Sequence, residues 1–160
     1  MKKLIAFVVL IGLTVNAYAQ SFPTLKNYVV NGVVFSDSSS YQEMLKRLGK
    51  PTRTEKIRNE CAETIYTYYY YPSLTLIDRG AGINVAEIFF SYPKTQIHLS
   101  SITLDGNATV SAIQKLGKLE VSAAKGITTY RLEDANDPSA WIFDFKGGRL
   151  HRVSFFSDDC

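Results

Sequence analysis

A short segment that begins at residue 41 recurs 68 positions later, and this internal repeat constrains the fold more than any other feature of the sequence. Residues 41–50 read YQEMLKRLGK, and residues 109–118 read TVSAIQKLGK. Self-similarity of this kind indicates a duplicated supersecondary unit, in which each copy needs its neighbour to bury its apolar face. We therefore expect two copies of one structural motif.

Both copies have the pattern of a short amphipathic helix that ends at a glycine. In the first copy, Ser40 followed by Glu43 forms a capping box at the helix start. Gly49 and then Pro51 end that helix, and Gly117 ends the second. Apolar residues recur at helical spacing on one face of each copy. These residues are Tyr41, Met44, Leu45 and Leu48 in the first copy, and Val110, Ile113 and Leu116 in the second.

Strand-like segments bounded by turn residues follow each helix. The fold class that we predict is α+β, a tandem repeat of a short helical segment followed by an antiparallel β-meander, with the helices packed on one sheet face. A further short strand over residues 28–35, with a turn at Asn31-Gly32, precedes the first helix and should join a sheet edge. The predicted strands are 64–71, 74–77, 86–92 and 97–104 after the first helix, and 127–132, 140–145 and 150–156 after the second.

The predicted organisation has three parts. Residues 1–19 are a signal peptide, residues 20–106 hold the N-terminal edge strand and the first α-β repeat, and residues 107–160 hold the second repeat. Only Asp105, Gly106 and Asn107 separate the two repeats. Because this connection is so short, we expect them to fold together as one unit.

The motif Leu48-Gly49-Lys50-Pro51, its echo Leu116-Gly117-Lys118 and the order of the elements resemble one known family. That family includes β-lactamase inhibitory protein and the small lipoprotein of the outer-membrane barrel-assembly machinery. The resemblance covers about residues 28–156, but Leu119 stands where the second copy should have proline. The resemblance implies that the chain shares the fold of this family and binds proteins through a sheet face, but it does not identify a target.

The N-terminus has the order of a cleavable secretory signal. Lys2 and Lys3 precede an apolar stretch from Leu4 to Val15, and Ala17-Tyr18-Ala19 forms a small-x-small cleavage site before Gln20. The stretch is too short to span a membrane well, because a spanning helix needs roughly 20 apolar residues. Bacterial lipoproteins carry a cysteine at the first position after the cleavage site. Because that position here is Gln20, a lipid anchor is not expected. The predicted location is the periplasm or the cell exterior.

The charge balance of the mature chain points to no particular class of partner. The full sequence has 18 basic and 15 acidic residues, and removal of Lys2 and Lys3 leaves 16 against 15. A net charge of this size does not suggest nucleic-acid binding. The expected partner is therefore another envelope or secreted protein, with no stable membrane insertion.

Two cysteines, Cys61 and Cys160, are the candidates for a disulfide. An oxidising compartment lets such a bond persist, and it would close a loop of about 100 residues. The alternative is two independent thiols.

No pattern for catalysis, a metal or a cofactor stands out in the sequence. Nucleophilic hydrolysis needs a base beside a nucleophile, and the two histidines, His98 and His151, lie near no nucleophile elbow. Because they occupy matching places in strands 97–102 and 150–155, we interpret both as ordinary strand positions. We expect no enzyme activity, no cofactor and no metal.

The candidate binding residues are Tyr66, Tyr68 and Tyr70. Alternate residues of a strand point to opposite faces, so these three share one face and could form an amphipathic patch that anchors a protein interface or stacks on sugars. The alternative is cross-strand aromatic packing without a ligand. Trp141, Phe143 and Phe145 are assigned to the core.

The function predicted from the sequence is non-catalytic protein recognition outside the cytoplasm. One alternative is an inhibitor of an extracellular enzyme, which needs a protruding loop at 134–138 or 78–83. Another is a carbohydrate-binding or hydrolytic protein, which needs a deep polar pocket. The basic residues between 46 and 58 are interpreted as a solvated helix end and loop.

Overall fold

Twelve β-strands and two short helical segments make up the part of the chain that the computed structural model describes, namely residues 27–36, 39–92, 94–99, 102–134 and 137–156. The predicted signal peptide lies outside these ranges. The strands are β1 (Asn27–Val30), β2 (Val33–Ser36), β3 (Arg53–Asn59), β4 (Thr64–Tyr71), β5 (Leu74–Asp78), β6 (Ile83–Phe89), β7 (Gln96–Leu99), β8 (Ile102–Asp105), β9 (Glu120–Ala124), β10 (Ile127–Asp134), β11 (Asp137–Lys146) and β12 (Arg149–Phe156). The helices are α1 (Tyr41–Leu48) and α2 (Val110–Ile113), and α2 continues into a 3₁₀ turn over Gln114–Leu116.

Eight of the strands form one antiparallel sheet in the order β3-β4-β5-β6-β12-β11-β10-β9. Each half of this large sheet is a four-stranded meander, and each meander follows a helical segment in the chain. The halves join where β6 pairs with β12, with Val153 opposite Ile88. Irregularities in the β5–β6 and β11–β12 pairings flank the junction, and such bulges bend and twist a sheet locally.

A second sheet, in the order β2-β1-β7-β8, packs against the large one. The Tyr28 ring meets Trp141 edge-on with 5.2 Å between the ring centroids, and the Tyr28 hydroxyl accepts a hydrogen bond of 2.8 Å from the Val85 backbone amide. Buried residues of both sheets belong to one hydrophobic core. The core therefore lies between two β-layers, and α1 and α2 close its margins.

The predicted α+β class, with helices as the layer over the sheet, is wrong. The described chain is mainly β, and its helical segments are two short pieces. Much of the sheet face that was assigned to helices is covered by the four-stranded sheet, through residues such as Tyr28, Phe35 and Ile97. The physical reason is that α1 has eight residues and α2 has four, so neither is long enough to cover eight strands.

The matching of the last strands was also wrong. Residues 97–104 were predicted as one strand, in which 97–102 matched 150–155, but this part of the chain contributes β7 and β8 to the small sheet. The strand that pairs with β12 at the centre of the large sheet is β6. As a result His98 lies in the small sheet and His151 in the large one, so the two histidines do not occupy equivalent positions.

Helix α1 begins and ends where its sequence predicts. The Ser40 side chain accepts a hydrogen bond of 3.3 Å from the Glu43 amide, which satisfies an otherwise free backbone donor. At the other end, Gly49 has φ of 76° and its amide donates to the Leu45 carbonyl. Glycine adopts this left-handed conformation without a steric penalty. Met44 is fully buried, so the predicted apolar face does point into the core.

Two strands, β3 and β9, were not predicted from the sequence, and both are edge strands of the large sheet. β3 contains the second half of the basic stretch, with Arg53, Lys56 and Arg58, which was interpreted as a loop. β9 lies shortly after the second helical segment. Nearly every residue of β3 and every residue of β9 is exposed. Edge strands with both faces in solvent lack the apolar alternation by which strands are recognised.

Tyr69 on β4 provides a test of how α1 packs on the sheet. Its ring stacks on Tyr41 of α1 at 4.6 Å. Burial raises the pKa of the Tyr69 phenol above its ordinary value of 10, and the charge of Asp78 and the neighbouring Tyr41 raise it further. The raised pKa means that the folded state favours the neutral phenol. The contribution of Tyr69 to stability is therefore present below pH 10 and is lost as the pH rises through the pKa of the folded state.

We therefore expect spectrophotometric titration of the folded protein to show tyrosines that ionise above pH 10. Tyr69→Phe should remove one of them, and Tyr71, whose pKa burial also raises, should remain. The exposed Tyr92, replaced by phenylalanine, is the matched control. If Tyr69→Phe leaves the number of late-titrating tyrosines unchanged, the described packing of α1 on β4 is contradicted.

Candidate functional site

The two faces of the large sheet have different surroundings. We call the face that carries Trp141 the inner face, because α1, α2 and the small sheet all contribute to the core beneath it. The opposite face is the outer face, and no described helix or strand packs on it. Its composition is therefore not dictated by the core, which makes it a candidate for a recognition surface.

The structure places the predicted binding residues Tyr66, Tyr68 and Tyr70 together on the outer face. They alternate along β4 with Tyr69 and Tyr71, which pack against the core. Tyr68 lies opposite Ile77 of β5 and opposite Glu55 of β3. The common face follows from the two-residue period of a strand, whereas their neighbours on β3 and β5 were not predicted.

A groove of about 320 Å³ lies at the tyrosine end of the outer face. Tyr66 and Ile77 are buried at its base, although neither belongs to the hydrophobic core on the inner face. Ile57 and Phe156 are exposed at its rim, each by more than 40%. We call this site the tyrosine groove; its lining comprises Ile57, Asn59, Tyr66, Tyr68, Ile77, Arg79, Phe155 and Phe156.

Arginine side chains lie beside two of the tyrosine rings. The Arg53 guanidinium carbon is 4.0 Å from the centroid of Tyr70, and the Arg79 guanidinium carbon is 5.8 Å from that of Tyr66. The Tyr70 hydroxyl donates to Glu55 at 3.1 Å, and Arg53 pairs with the same carboxylate oxygen at 3.2 Å. These contacts hold Tyr70 in a fixed orientation and place positive charge next to the aromatic surface.

A network of charged side chains crosses the middle of the outer face. The Arg152 Nε and Nη2 atoms donate to Asp144 Oδ2 at 2.9 and 2.7 Å, and Nη1 donates to Glu87 at 2.9 Å. The second Asp144 oxygen accepts a hydrogen bond of 2.7 Å from Thr129. The network therefore links four adjacent strands, β6, β12, β11 and β10, across the joint between the two halves.

Asp144 and Arg152 differ in how far they are buried. The Asp144 side chain is 6% exposed and the Arg152 side chain 39% exposed. Burial lowers the pKa of Arg152, but the hydrogen bonds and charges of Asp144 and Glu87 outweigh it, so the pKa is raised above its ordinary value. The guanidinium is charged at every physiological pH, and the buried carboxylate has a permanent counter-ion.

Sequence reasoning missed this network, although one signal of it was visible. Asp144 stands between Phe143 and Phe145 in a strand that is otherwise apolar at alternate positions. A carboxylate at such a place needs a cation on a neighbouring strand. The partner itself depends on the register of β11 and β12, which places Asp144 opposite Arg152.

Of the two cysteines of the candidate disulfide, Cys61 belongs to the described residues and Cys160 does not. Cys61 lies in the turn between β3 and β4, where its amide donates to the Asn59 side chain at 2.9 Å. No cysteine among the described residues is a free thiol. Cys160 lies outside the described residues, so pairing of Cys61 with Cys160 stays a prediction.

Two loops, at 134–138 and 78–83, were proposed as protruding loops of an inhibitor. In the first of them, residues 135 and 136 lie outside the described ranges. The loop between β5 and β6 is held at both ends, because the Asp78 carboxylate accepts from the Gly80 amide at 2.8 Å and the Ile83 amide donates to the Ser39 carbonyl at 2.9 Å.

No described helix is long and apolar enough to cross a membrane. Among the described residues, no three histidine, cysteine or acidic side chains cluster as metal ligands do. Comparisons with protein-family models, with characterised proteins and with solved structures give no significant match to this chain.

Proposed function

We propose that this protein is a non-catalytic binding module that is exported after removal of residues 1–19 and that recognises another envelope or secreted protein. The tyrosine groove on the outer face is the proposed contact surface. The observation that carries the proposal is that Tyr66, Tyr68 and Tyr70 share a face that no described element covers. The family resemblance, which implies binding through a sheet face, agrees with this proposal.

The tyrosines are suited to recognition because they are ordered before a partner arrives. Tyr68 and Tyr70 stack at 6.4 Å between ring centroids, and Tyr70 is further fixed by Glu55 and Arg53. Side chains that are already ordered lose little conformational entropy on binding. Tyrosine also combines a large apolar ring with a polar hydroxyl, which is why it is enriched in binding hot spots.

The groove also indicates the chemistry of the partner. Ile57, Ile77 and Phe156 offer apolar surface, and Arg53 and Arg79 add two cations beside the rings. A protein loop with an apolar or aromatic tip and an acidic flank would match both features.

The test compares partner capture by the wild-type protein with capture by the double variant Tyr68→Ala/Tyr70→Ala. Envelope and secreted extracts of the source organism are passed over each immobilised protein, and retained molecules are identified by mass spectrometry. We expect one saturable protein partner, whose affinity falls by at least about tenfold in the double variant, because truncated hot-spot residues cost about 2 kcal/mol or more each.

Ile65→Ala is the matched control, because Ile65 is 61% exposed on the same strand but points to the opposite face. This variant should retain the partner fully. If the folded double variant holds every partner as tightly as the wild type, the outer-face proposal is wrong. Capture of glycan alone would instead support the carbohydrate-binding alternative.

A further inference from the structure

A second cleft, of about 470 Å³, lies away from the tyrosine groove. Its walls come from the connection between β6 and β7, the turn after β8 and the hairpin that joins β11 to β12. Phe90 and Leu150 are buried at its base, and Tyr92 is exposed at its rim. A cleft of this volume falls within the range of small-molecule sites.

Three cationic side chains from two separate segments line this cleft, namely Lys94, Lys146 and Arg149. Among the described residues, none of the three belongs to an ion pair. The lining has one acidic residue, Asp105, whose carboxylate already accepts a hydrogen bond of 2.8 Å from the Asn107 amide. The cleft therefore has an excess of positive charge, and a concave low-dielectric wall concentrates such a field.

Lys146 and Arg149 are placed against each other by the hairpin between β11 and β12. The turn residues Gly147 and Gly148 both have positive φ, 59° and 77°, as a tight two-residue hairpin requires. The register then makes Lys146 and Arg149 direct cross-strand neighbours. Like charges in this position destabilise a sheet, so the pair costs stability unless an anion lies between the two cations.

His151 reaches the same cleft through a break in the strand register. β11 pairs Asp144 with Arg152 and Phe145 with Leu150, which leaves His151 as an extra residue without a partner across the ladder. Its carbonyl accepts a hydrogen bond of 3.0 Å from the Phe90 amide, which fixes the bulge to the base of the cleft. Bulges of this kind often redirect a side chain at a functional site.

The opposite wall is held close by Gly106. A methyl group at this position would lie 3.0 Å from the Phe90 carbonyl oxygen, so a larger residue would push the turn outward. The cleft is thus a built feature, whose base, turn and hairpin are each fixed by a backbone contact.

From these observations we propose that the cleft lined by Lys94, Lys146, Arg149 and His151 binds a small molecule that carries at least two oxyanionic charges, such as a phosphate or sulfate ester. An oxyanion between Lys146 and Arg149 would accept charge-assisted hydrogen bonds from both and remove their repulsion. This site is independent of the tyrosine groove and of the protein partner proposed above.

Isothermal titration calorimetry of the purified protein with pyrophosphate tests the proposal, with inorganic sulfate and citrate as separate probes. We expect saturable binding of pyrophosphate at low ionic strength that weakens as salt is added. Sulfate binding at similar strength would assign the site to oxyanions in general, and preference for pyrophosphate would assign it to phosphate compounds. Absence of binding by all three anions would overturn the proposal.

The double variant Lys146→Gln/Arg149→Gln should bind pyrophosphate at least about tenfold more weakly, because two charge-assisted hydrogen bonds are lost. It should also resist denaturant at least as well as the wild type, since the opposed cations are gone. The control Lys56→Gln/Arg58→Gln removes the same charges from the exposed strand β3. Equal weakening of pyrophosphate binding in that control would show that the effect comes from net charge alone, and it would refute a specific site.

Discussion

Trp141→Ala is expected to lower the free energy of unfolding by about 3 to 5 kcal/mol, the usual cost of removing a large buried aromatic side chain. Trp141 is 1% exposed, and its ring contacts Tyr28 of the small sheet and Phe155 of β12, at 5.2 and 5.5 Å between ring centroids. The side chain therefore lies where the two β-layers meet. Domains of this size are stable by only about 5 to 15 kcal/mol, so the variant should lose a large fraction of its stability.

Urea unfolding followed by far-ultraviolet circular dichroism measures this effect, since Trp141 is the single tryptophan and its fluorescence is lost in the variant. Trp141→Phe is the matched control. It keeps most of the ring contacts, and the indole nitrogen that it removes has no hydrogen-bond partner among the described residues, so its cost should be smaller, about 1 to 2 kcal/mol. Equal stability of wild type and Trp141→Ala would mean that the two sheets do not pack through this residue.

The second large effect is expected from Arg152→Met, which leaves the Asp144 carboxylate buried without its counter-ion. Removing one partner of a fully buried pair costs about 3 to 5 kcal/mol. Because the Arg152 side chain is 39% exposed, solvent screens part of the interaction, and we expect a loss of about 2 kcal/mol. The loss should appear as a lower urea midpoint.

Two further variants separate the buried charge from the lost packing. Arg152→Met/Asp144→Asn should be more stable than Arg152→Met alone, because the unpaired buried charge is gone. Arg47→Met removes the exposed pair between Arg47 and Glu43, 2.9 Å apart on α1, and should cost less than about 1 kcal/mol. If Arg152→Met costs no more than Arg47→Met, the network has no special role in joining the two halves of the sheet.

The charge network and the tyrosine groove are consequences of the same architecture. With the core on the inner face, the outer face has no covering layer among the described elements, and its side chains pair with one another instead. Arg152 does this at the centre by pairing with Asp144 and Glu87, and the tyrosines do it at one end by packing on each other. The recognition surface that we propose is the part of this face where apolar area stays accessible, at Ile57 and Phe156.

Local patterns in the sequence determined much of the secondary structure. The cap at Ser40 and the stop at Gly49 set the limits of α1, and the alternation in 64–71 set β4 and the common face of its tyrosines. Trp141, Phe143 and Phe145 were assigned to the core and are buried there. These features depend on residues close together in the chain, whose effects on a helix end or a strand face do not require knowledge of the rest of the fold.

The tertiary structure alone decided which elements cover the large sheet and which residues meet across it. The hairpin of β1 and β2 combines with the segment at 97–104 into a second sheet. This sheet depends on the pairing of Val30 with Ile97 and of Val29 with His98, residues far apart in the chain, which no local pattern encodes. The edge strands β3 and β9 are exposed on both faces and therefore carry no periodic signal. The contacts of Asp144 with Arg152 and of Lys146 with Arg149 depend on strand register, which the hydrogen-bonded sheet sets and the linear sequence does not.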